Sequence, residues 1–468
     1  MVLMPTGLAV SDLIARRVRR RAVLAAFVLV LCGLTLALAY ANKARCAGAP
    51  FQADGRSAVF ETRKDAEVCY SDIQFLWLGR DINEHVFPYI NGGITGDGAL
   101  VGGAVEYPVL SGTVIWLGAI GAHNDADFLR HSALLLAPFA LLTAWMLARL
   151  AGRAALLWAA GPPLVLYAFH NWELPVVCTA VAAVYVMATL TRYSLRTRGI
   201  LAAILLGLGF CFKLYPGIFV LPLMAYVLTG GVERARDDPG MRTRGLDVRG
   251  ALLTAAAAVA TVVVVNLPFA VAGYEGWRAS ITFQQLRQAD ITTNSIWYWG
   301  LRPLFEHDTA GEAVFQEVVS FASPTLVLAA FALAMWLGWK RYLGTGMFPW
   351  VAVSGAMLCA FLLFHKVHSP QYTLWLVPFL VLLEVPWSLI GAYLVADAAV
   401  GVGVFRYFYA LGSGRPYETM EKVVQFGVWG RAVLLVALFF LFLRAVPRGF
   451  RPVQPPVPRF APGELIPA

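Results

Sequence analysis

The sequence predicts an all-α, polytopic membrane protein of about twelve transmembrane helices, and three observations support this fold class. Hydrophobic residues make up 59% of the 468-residue chain and charged residues only 14%, unlike the composition of soluble domains. Apolar runs of about 17 to 25 residues recur along the chain. Arginines collect in short segments between these runs, as in the cytoplasmic loops of membrane proteins. The net charge of +9 therefore indicates membrane topology and excludes nucleic acid as a partner.

The first predicted span, 22–40, follows an arginine-rich start and has no clear small-residue cleavage site, which predicts a retained signal-anchor. Because short basic loops stay on the cytoplasmic side, the segment after this span is predicted to lie outside. The next apolar piece, 107–121, is short and broken by Pro108. We therefore expect an interfacial or re-entrant helix there.

The remaining spans follow from the apolar runs and from the arginines that flank them. They are predicted at 128–148, 154–169, 174–190, 199–212, 217–228, 251–272, 321–339, 348–364, 372–385, 387–404 and 429–443. This pattern predicts one transmembrane domain over 1–446, with outer loops at 41–127, 273–320 and 405–428. The proline-rich stretch 447–468 is predicted to be a disordered cytoplasmic tail.

Polar and titratable residues gather at the predicted outer ends of the spans, beside an aromatic second loop. They are Asp72, Glu106, His170, Asn171, Glu173, Lys213, Asn294, Arg302, His365, His368 and Gln371. Charged groups at helix ends are costly in a bilayer unless they serve a site or a pairing. We therefore predict a substrate cavity at the outer face of the plasma membrane, with the protein crossing that membrane many times.

Asp72 follows Tyr70 and Ser71, ahead of an amphipathic run that predicts a short helix lying on the membrane. Two interpretations fit this position. Ser71 or Asp72 is a helix N-cap, or Asp72 is a general base with a carboxylate beside the substrate.

Lys213 interrupts an otherwise apolar stretch, where an ammonium group needs an anionic partner or a route to water. It either snorkels to the interface or contacts a phosphate. Glu106 precedes Tyr107 and Pro108 and is interpreted as a structural anchor or an acceptor contact. Asp397, inside a predicted span, is expected to pair with another span.

His365 and His368 flank Lys366 at one helix junction, where they are candidate contacts for a phosphate or a sugar. Two histidines without a spaced third ligand do not indicate a metal site, and no metal or cofactor is predicted. Four cysteines lie in apolar runs, whereas Cys46 and Cys69 share the first outer loop. In an oxidising compartment these two could form a disulfide, which spacing alone does not decide.

Taken in order, several short motifs resemble the GT-C glycosyltransferases. They are an aspartate in the first outer loop (Asp72), the loop-closing Tyr107-Pro108, Lys213 with Pro216, Asn294-Ser295, and His368-Ser369-Pro370 before a late span. The arrangement is most similar to actinobacterial mannosyltransferases that use polyprenyl-phosphate-mannose, including the phosphatidylinositol mannoside mannosyltransferases. The resemblance covers roughly residues 70–375. The chain departs from the family in its glycine-rich stretch 88–106, and in having one proline after Glu106-Tyr107 where the family commonly has two.

The resemblance implies an inverting transfer of a sugar from a polyprenyl-phosphate donor to a glycolipid or cell-envelope polysaccharide acceptor. Mannose is favoured over arabinofuranose as the sugar. It implies that Asp72 deprotonates the acceptor hydroxyl. The leaving phosphate is already anionic, so it needs cations more than a strong acid. Lys213, His368 and Arg302 are the candidates for the donor phosphate, and Glu106, His170, Asn171, Glu173, Asn294, His365 and Gln371 for the cavity or acceptor.

Two other classes of protein compete with this interpretation. A transporter or flippase of a lipid-linked or small polar substrate also has many spans and cavity-lining charges. Transporters often show two similar halves, and this sequence shows no such repeat. A non-catalytic assembly subunit would not explain why so many titratable groups gather at one face.

Overall fold

The structure is a computed structural model that describes residues 7–231 and 245–448, with side chains from residue 19 onward. Its helices are α1 (Gly7–Ala44), α2 (Phe60–Arg63), α3 (Asp72–Gly79), α4 (Val109–Ala119), α5 (Asp125–Ala151), α6 (Leu156–Ala160), α7 (Pro162–Tyr167), α8 (Glu173–Thr189), α9 (Leu195–Phe212), α10 (Val220–Leu228), α11 (Val248–Ala272), α12 (Tyr274–Leu286), α13 (Thr309–Thr345), α14 (Trp350–Phe364), α15 (Thr373–Leu382), α16 (Trp387–Gly412) and α17 (Glu418–Arg444). Short 3₁₀ turns lie at Ile82–Glu84, Gly152–Ala155, Tyr215–Phe219, Arg302–Leu304 and Pro370–Tyr372, and a π turn at Trp297–Leu301.

The helical membrane fold is confirmed. Within the described residues, 7 helices are long and apolar enough to cross a membrane. They are Arg19–Ala44, Asp125–Ala160, Leu195–Phe212, Val248–Ala272, Thr309–Thr345, Trp387–Gly412 and Glu418–Arg444. Shorter apolar helices lie at Val109–Ala119, Glu173–Thr189, Tyr215–Leu228, Trp350–Phe364 and Pro370–Leu382. The chain is therefore a multi-pass membrane protein.

The short helix α15 forms the centre of the bundle. Every residue of α15 is buried, and the helix packs against α5, α8 and α14. A helix that is apolar on all sides is stable only when neighbouring helices or lipid surround it. Here protein surrounds it, which explains why ten residues suffice although a span in contact with lipid needs about twenty.

The segment between α1 and α5 is compact and carries α2, α3, α4 and a two-stranded antiparallel hairpin of β1 (Gly93–Ile94) and β2 (Leu100–Val101). Arg56 attaches α3 to α5, because its guanidinium donates hydrogen bonds to the carbonyl oxygens of Gln74 and Phe75 and lies 3.2 Å from Asp125 Oδ2. The 11-residue α4 is too short to cross a bilayer, in agreement with the predicted interfacial or re-entrant helix.

The structure differs most from the predicted spans at 154–169. The stretch predicted as a span at 154–169 is a chain of short pieces: a 3₁₀ turn, α6 and α7. Gly152 adopts a positive φ of 61°, and Pro162 follows Gly161 at the start of α7. A proline without an N–H and a glycine in a conformation that other residues avoid interrupt the helix there.

The ranges predicted as outer loops contain much helix. α12 and the start of α13 lie within 273–320, and between α16 and α17 only 413–417 is not helical. The described part of the chain does not include residues 232–244 or 449–468. The basic loop with Arg234, Arg236, Arg242 and Arg244, and nearly all of the predicted tail, therefore lie outside the described residues.

Candidate active site

Asp72 is the first residue of α3, and the cap of this helix is its neighbour Ser71. The Ser71 hydroxyl accepts a hydrogen bond from the Ile73 N–H and donates one to the Phe169 carbonyl at 2.7 Å. The Asp72 N–H donates to the carbonyl oxygen of His170 at 2.8 Å. Because Ser71 supplies the cap, the Asp72 carboxyl group is free for other interactions.

Two neutral groups hold the Asp72 carboxylate. The Tyr70 hydroxyl donates to Asp72 Oδ1 at 2.9 Å, and Asn171 Nδ2 donates to Asp72 Oδ2 at 2.6 Å. Asn171 Nδ2 is also 2.9 Å from the Tyr107 hydroxyl. Asp72, Asn171 and Tyr107 therefore lie together in the structure. Asp72 and Asn171 were both predicted to line the cavity, and Tyr107 belongs to the loop-closing motif.

Burial raises the pKa of the Asp72 carboxyl group above its ordinary value. The hydrogen bonds from Tyr70 and Asn171 and the charges of Lys213 and Arg287 act in the opposite direction, but burial has the larger effect. A carboxyl group with a raised pKa binds a proton more readily than an exposed one. This is the property that a general base requires.

Glu173 and Lys213 form an ion pair beside this cluster. Lys213 Nζ donates to Glu173 Oε1, and Trp375 Nε1 donates to Glu173 Oε2 at 2.6 Å. The ammonium group of Lys213 lies 5.5 Å from the ring centres of both Tyr107 and Tyr372, within the range of cation–π attraction. Lys213 therefore has an anionic partner, and its charge also acts on the Asp72 carboxyl group.

Lys43 is a site residue that the sequence interpretation missed. It lies in the last turn of α1 and is 2% exposed, and its ammonium group donates to the Tyr70 carbonyl oxygen at 2.7 Å. The same group is 3.4 Å from His170 Nδ1. Burial and the charge of Lys43 lower the pKa of His170 well below its ordinary value, so this imidazole is neutral at pH 7. The feature of the sequence that could have identified Lys43 is its position as a lysine directly after an apolar span.

A second polar group contains Asn294 and His368. The His368 N–H donates to the Thr293 carbonyl oxygen at 2.7 Å, and the Arg431 guanidinium donates to the Asn294 carbonyl oxygen at 3.0 Å. Burial lowers the pKa of His368 well below its ordinary value, so its ring is uncharged at pH 7. Among the described residues, Asn294 Oδ1 and His368 Nε2 have no hydrogen-bond partner. Arg431 lies inside a predicted span and was missed, although an arginine in a span is by itself a signal of function.

The other predicted site residues have local partners. Glu106 forms a two-point ion pair with Arg80, at 2.7 and 3.2 Å. Arg302 is 2.7 Å from Glu312 and also donates to two backbone carbonyls of its own loop. The His365 ring contacts its own turn at Val367. These contacts favour the anchoring interpretation for Glu106.

Gln371 is buried in the 3₁₀ turn before α15, and its Oε1 has no hydrogen-bond partner in the described chain. Cys46 and Cys69 form a disulfide, which packs with Phe60 against the Tyr70 ring. The disulfide therefore supports the tyrosine that orients Asp72. In the described residues no group of three or more histidine, cysteine or acidic side chains is arranged to hold a metal ion.

The fold and the site are those of a multi-pass membrane protein with a half-buried carboxyl group and an ion pair where several helices end. A family model described as mannosyltransferase (PIG-M) matches residues 176–441, more than half of the chain. The protein belongs to this mannosyltransferase family and is a membrane glycosyltransferase of the GT-C type, which confirms the resemblance to the GT-C glycosyltransferases. Asp72 lies before the matched range.

No individually curated protein matches the chain. Among solved structures, the chain is similar to the crystal structure of ArnT from Cupriavidus metallidurans bound to undecaprenyl phosphate. The sequence identity is 15%, the TM-score is 0.40, and the alignment covers 90% of this chain and 78% of that one.

Proposed function

We propose that the protein transfers mannose from a polyprenyl-phosphate donor to a glycolipid or other cell-envelope glycan acceptor at the outer face of the plasma membrane. The observation that carries this proposal is the Asp72 carboxyl group. It is half-buried and held by two neutral donors, and the Lys213–Glu173 pair lies beside it. The family supports mannose as the sugar, and the polyprenyl-phosphate donor follows the resemblance of the motifs.

In the proposed reaction the acceptor oxygen attacks the anomeric carbon of the donor. The bond between this carbon and the phosphate oxygen breaks, and the electron pair leaves with the polyprenyl phosphate. The acceptor proton moves to Asp72, which is charged before the reaction and neutral after it. A single displacement inverts the anomeric centre, and the base contributes typically about 10² to 10⁴-fold to such a step.

Two cationic groups near the carboxylate, those of Lys213 and Arg287, are candidates for the leaving phosphate. The charges of Lys213 and Arg287 both act on Asp72, and the charge of Arg287 also acts on Tyr372 and Lys366. Among the residues that the structure describes, Arg287 has one long hydrogen bond, 3.4 Å to Thr292, so its guanidinium can bind a phosphate. His368, being neutral, can donate one hydrogen bond. The Arg302 guanidinium is occupied by Glu312.

The decisive experiment incubates the purified protein in nanodiscs with radiolabelled polyprenyl-phosphate-mannose and an extract of envelope glycolipids. We expect labelled mannose in the glycolipid fraction and release of polyprenyl phosphate. The matching arabinofuranose donor, run in parallel, tests the sugar. Movement of intact donor between leaflets without cleavage would instead identify a flippase and contradict the proposal.

The proposed orientation has a separate test. Gly96 in the hairpin and Gly344 at the end of α13 both have open space where a side chain would be added. In whole cells a membrane-impermeant thiol reagent should label Gly96→Cys and spare Gly344→Cys until the membrane is opened. Labelling of both from the same side would exclude an outward-facing Asp72. The single domain over 1–446 stays a prediction.

A further inference from the structure

A groove runs along the surface of α16 and α17 that faces lipid, apart from the candidate active site. It has a volume of about 720 Å³, and most of its lining residues are apolar. Val395, Ala399 and Val402 line one side at helical spacing, and Met420 of α17 lies opposite. Val395 is 63% exposed, so protein does not cover the groove. Its volume is typical of a small-molecule site.

The length of the groove along α16 matches half the thickness of the hydrocarbon core of a bilayer. Val395 and Arg406 are 11 positions apart on one helix, which at 1.5 Å per residue is about 16 Å, against a hydrocarbon core of about 30 Å. The Arg406 end lies at the level of the candidate site, because the ring of the adjacent Phe405 stacks on Tyr70 at 5.6 Å. The groove therefore runs from the level of Asp72 towards the middle of the membrane.

Two arginines, Arg406 and Arg415, stand at this end of the groove, and both are exposed. Across the described residues neither guanidinium has a carboxylate within ion-pair distance. The acidic residues of the first turn of α17, Glu418 and Glu421, do not line the groove. Arg415 lies 5.2 Å from the Tyr409 ring, which restrains it without neutralising it.

We propose that this groove binds the discharged carrier, a polyprenyl phosphate, with its chain along α16 and its phosphate between Arg406 and Arg415. The inference rests on the proposed function, which releases such a carrier at every turnover. A phosphate monoester carries a charge of about −1.5 to −2 at pH 7 and complements two guanidinium groups. The sugar-loaded donor and ordinary phospholipids are phosphodiesters with a single negative charge on the phosphate. The groove thus favours the spent carrier over the loaded donor.

The test uses a polyprenyl phosphate with a photoreactive group in its chain, and the full-length protein in neutral-lipid nanodiscs. Within 395–423, cross-links to the groove-lining residues report the groove, whereas cross-links to Phe405 or near Asp72 report the reaction site. The double variant Arg406→Gln/Arg415→Gln should weaken labelling of 395–423 by about tenfold or more, since each removes a charged hydrogen-bond donor. Val402→Trp fills the groove and should do the same.

Matched controls lie on the same helix pair. Lys422→Gln removes an exposed cation and Val433→Trp enlarges an exposed apolar side chain, and neither residue lines the groove. Both should label like the wild type. Equal labelling of the arginine double variant and the wild type would overturn the proposal. So would equal competition by phosphatidylglycerol, which would identify a general site for anionic lipids.

Failure of the proposed function gives a different result. A wild-type protein that labels at 395–423 but transfers no mannose contradicts the enzyme proposal and leaves the groove intact. A protein that transfers mannose but shows no groove labelling contradicts the groove alone. Single-turnover transfer from donor already bound should be unchanged in the groove variants, because none of the substituted residues contacts Asp72.

Discussion

Two carboxyl groups in apolar surroundings, those of Asp397 and Asp72, differ in their partners. Asp397 on α16 accepts hydrogen bonds from Tyr167 at 3.0 Å and from Thr373. Arg431 on α17 lies 3.6 Å away and neutralises it. This pairing of two spans agrees with the prediction for Asp397, because a charge inside a membrane bundle is tolerated when a partner charge lies beside it.

Asp72 is different because its two hydrogen-bond donors, Tyr70 and Asn171, carry no charge. No ion pair to it is present in the described chain. Its carboxyl group is therefore oriented without being neutralised, and burial raises its pKa. Both carboxyl groups lie in apolar surroundings, so burial alone does not distinguish them. Asp397 is paired with a cation and joins two helices, whereas Asp72 has no such partner within the described residues and can exchange a proton.

The largest effect is expected for Asp72→Asn. The variant keeps the shape and Ser71 still caps α3, so the protein should fold normally while transfer falls by at least about a hundredfold. The measurement is the transfer rate per folded molecule. Asp97→Asn in the exposed hairpin is the matched control and should be neutral. A folded Asp72→Asn protein with the wild-type rate would remove the distinction between Asp72 and Asp397.

For Asp397 we expect an effect on stability, in contrast to the effect on transfer expected for Asp72. Arg431→Met leaves Asp397 unpaired, and breaking a buried pair by removing one partner costs roughly 3–5 kcal/mol of stability. Thermal unfolding in detergent measures this loss. Adding Asp397→Asn to the same protein should recover much of it, because no uncompensated charge then remains. If the double variant is as unstable as the single one, the pair does not carry the effect.

Lys213→Gln should raise the donor KM by about ten- to a hundredfold, the effect of removing a phosphate contact worth on the order of 1.5 to 3 kcal/mol. The single variant also leaves Glu173 buried without its cation. The double variant Glu173→Gln/Lys213→Gln separates these effects in the same kinetic assay. A double variant with the wild-type KM would mean that Lys213 only neutralises Glu173.

The smallest effect is a shift in pH dependence. Asp72 must be deprotonated to accept a proton, so kcat/KM should fall as the pH falls through its raised pKa. Tyr70→Phe removes a hydrogen bond that stabilises the carboxylate, so this acidic limb should move to higher pH. Tyr274→Phe on α12 is the control. A limb that does not move, or moves to lower pH, would show that Tyr70 does not tune Asp72.

Much of the site near Asp72 was visible in the sequence, because its signals are local. Composition and apolar runs determined the membrane fold, and Ser71 followed by an amphipathic run determined where α3 begins. Lys213 was identified because a charge within an apolar stretch is costly wherever that stretch lies. The short apolar piece broken by Pro108 predicted an interfacial or re-entrant helix, and the 11-residue α4 agrees with that prediction.

Only the tertiary structure decided which groups meet. Asn171 is 99 residues from Asp72 in sequence and Lys43 is 127 residues from His170, yet each pair is in contact. Helix packing produces these contacts, and periodicity carries no information on which helices become neighbours. The same limit explains Arg431: its position inside a span was visible, but its pairing with Asp397 depends on α17 lying against α16.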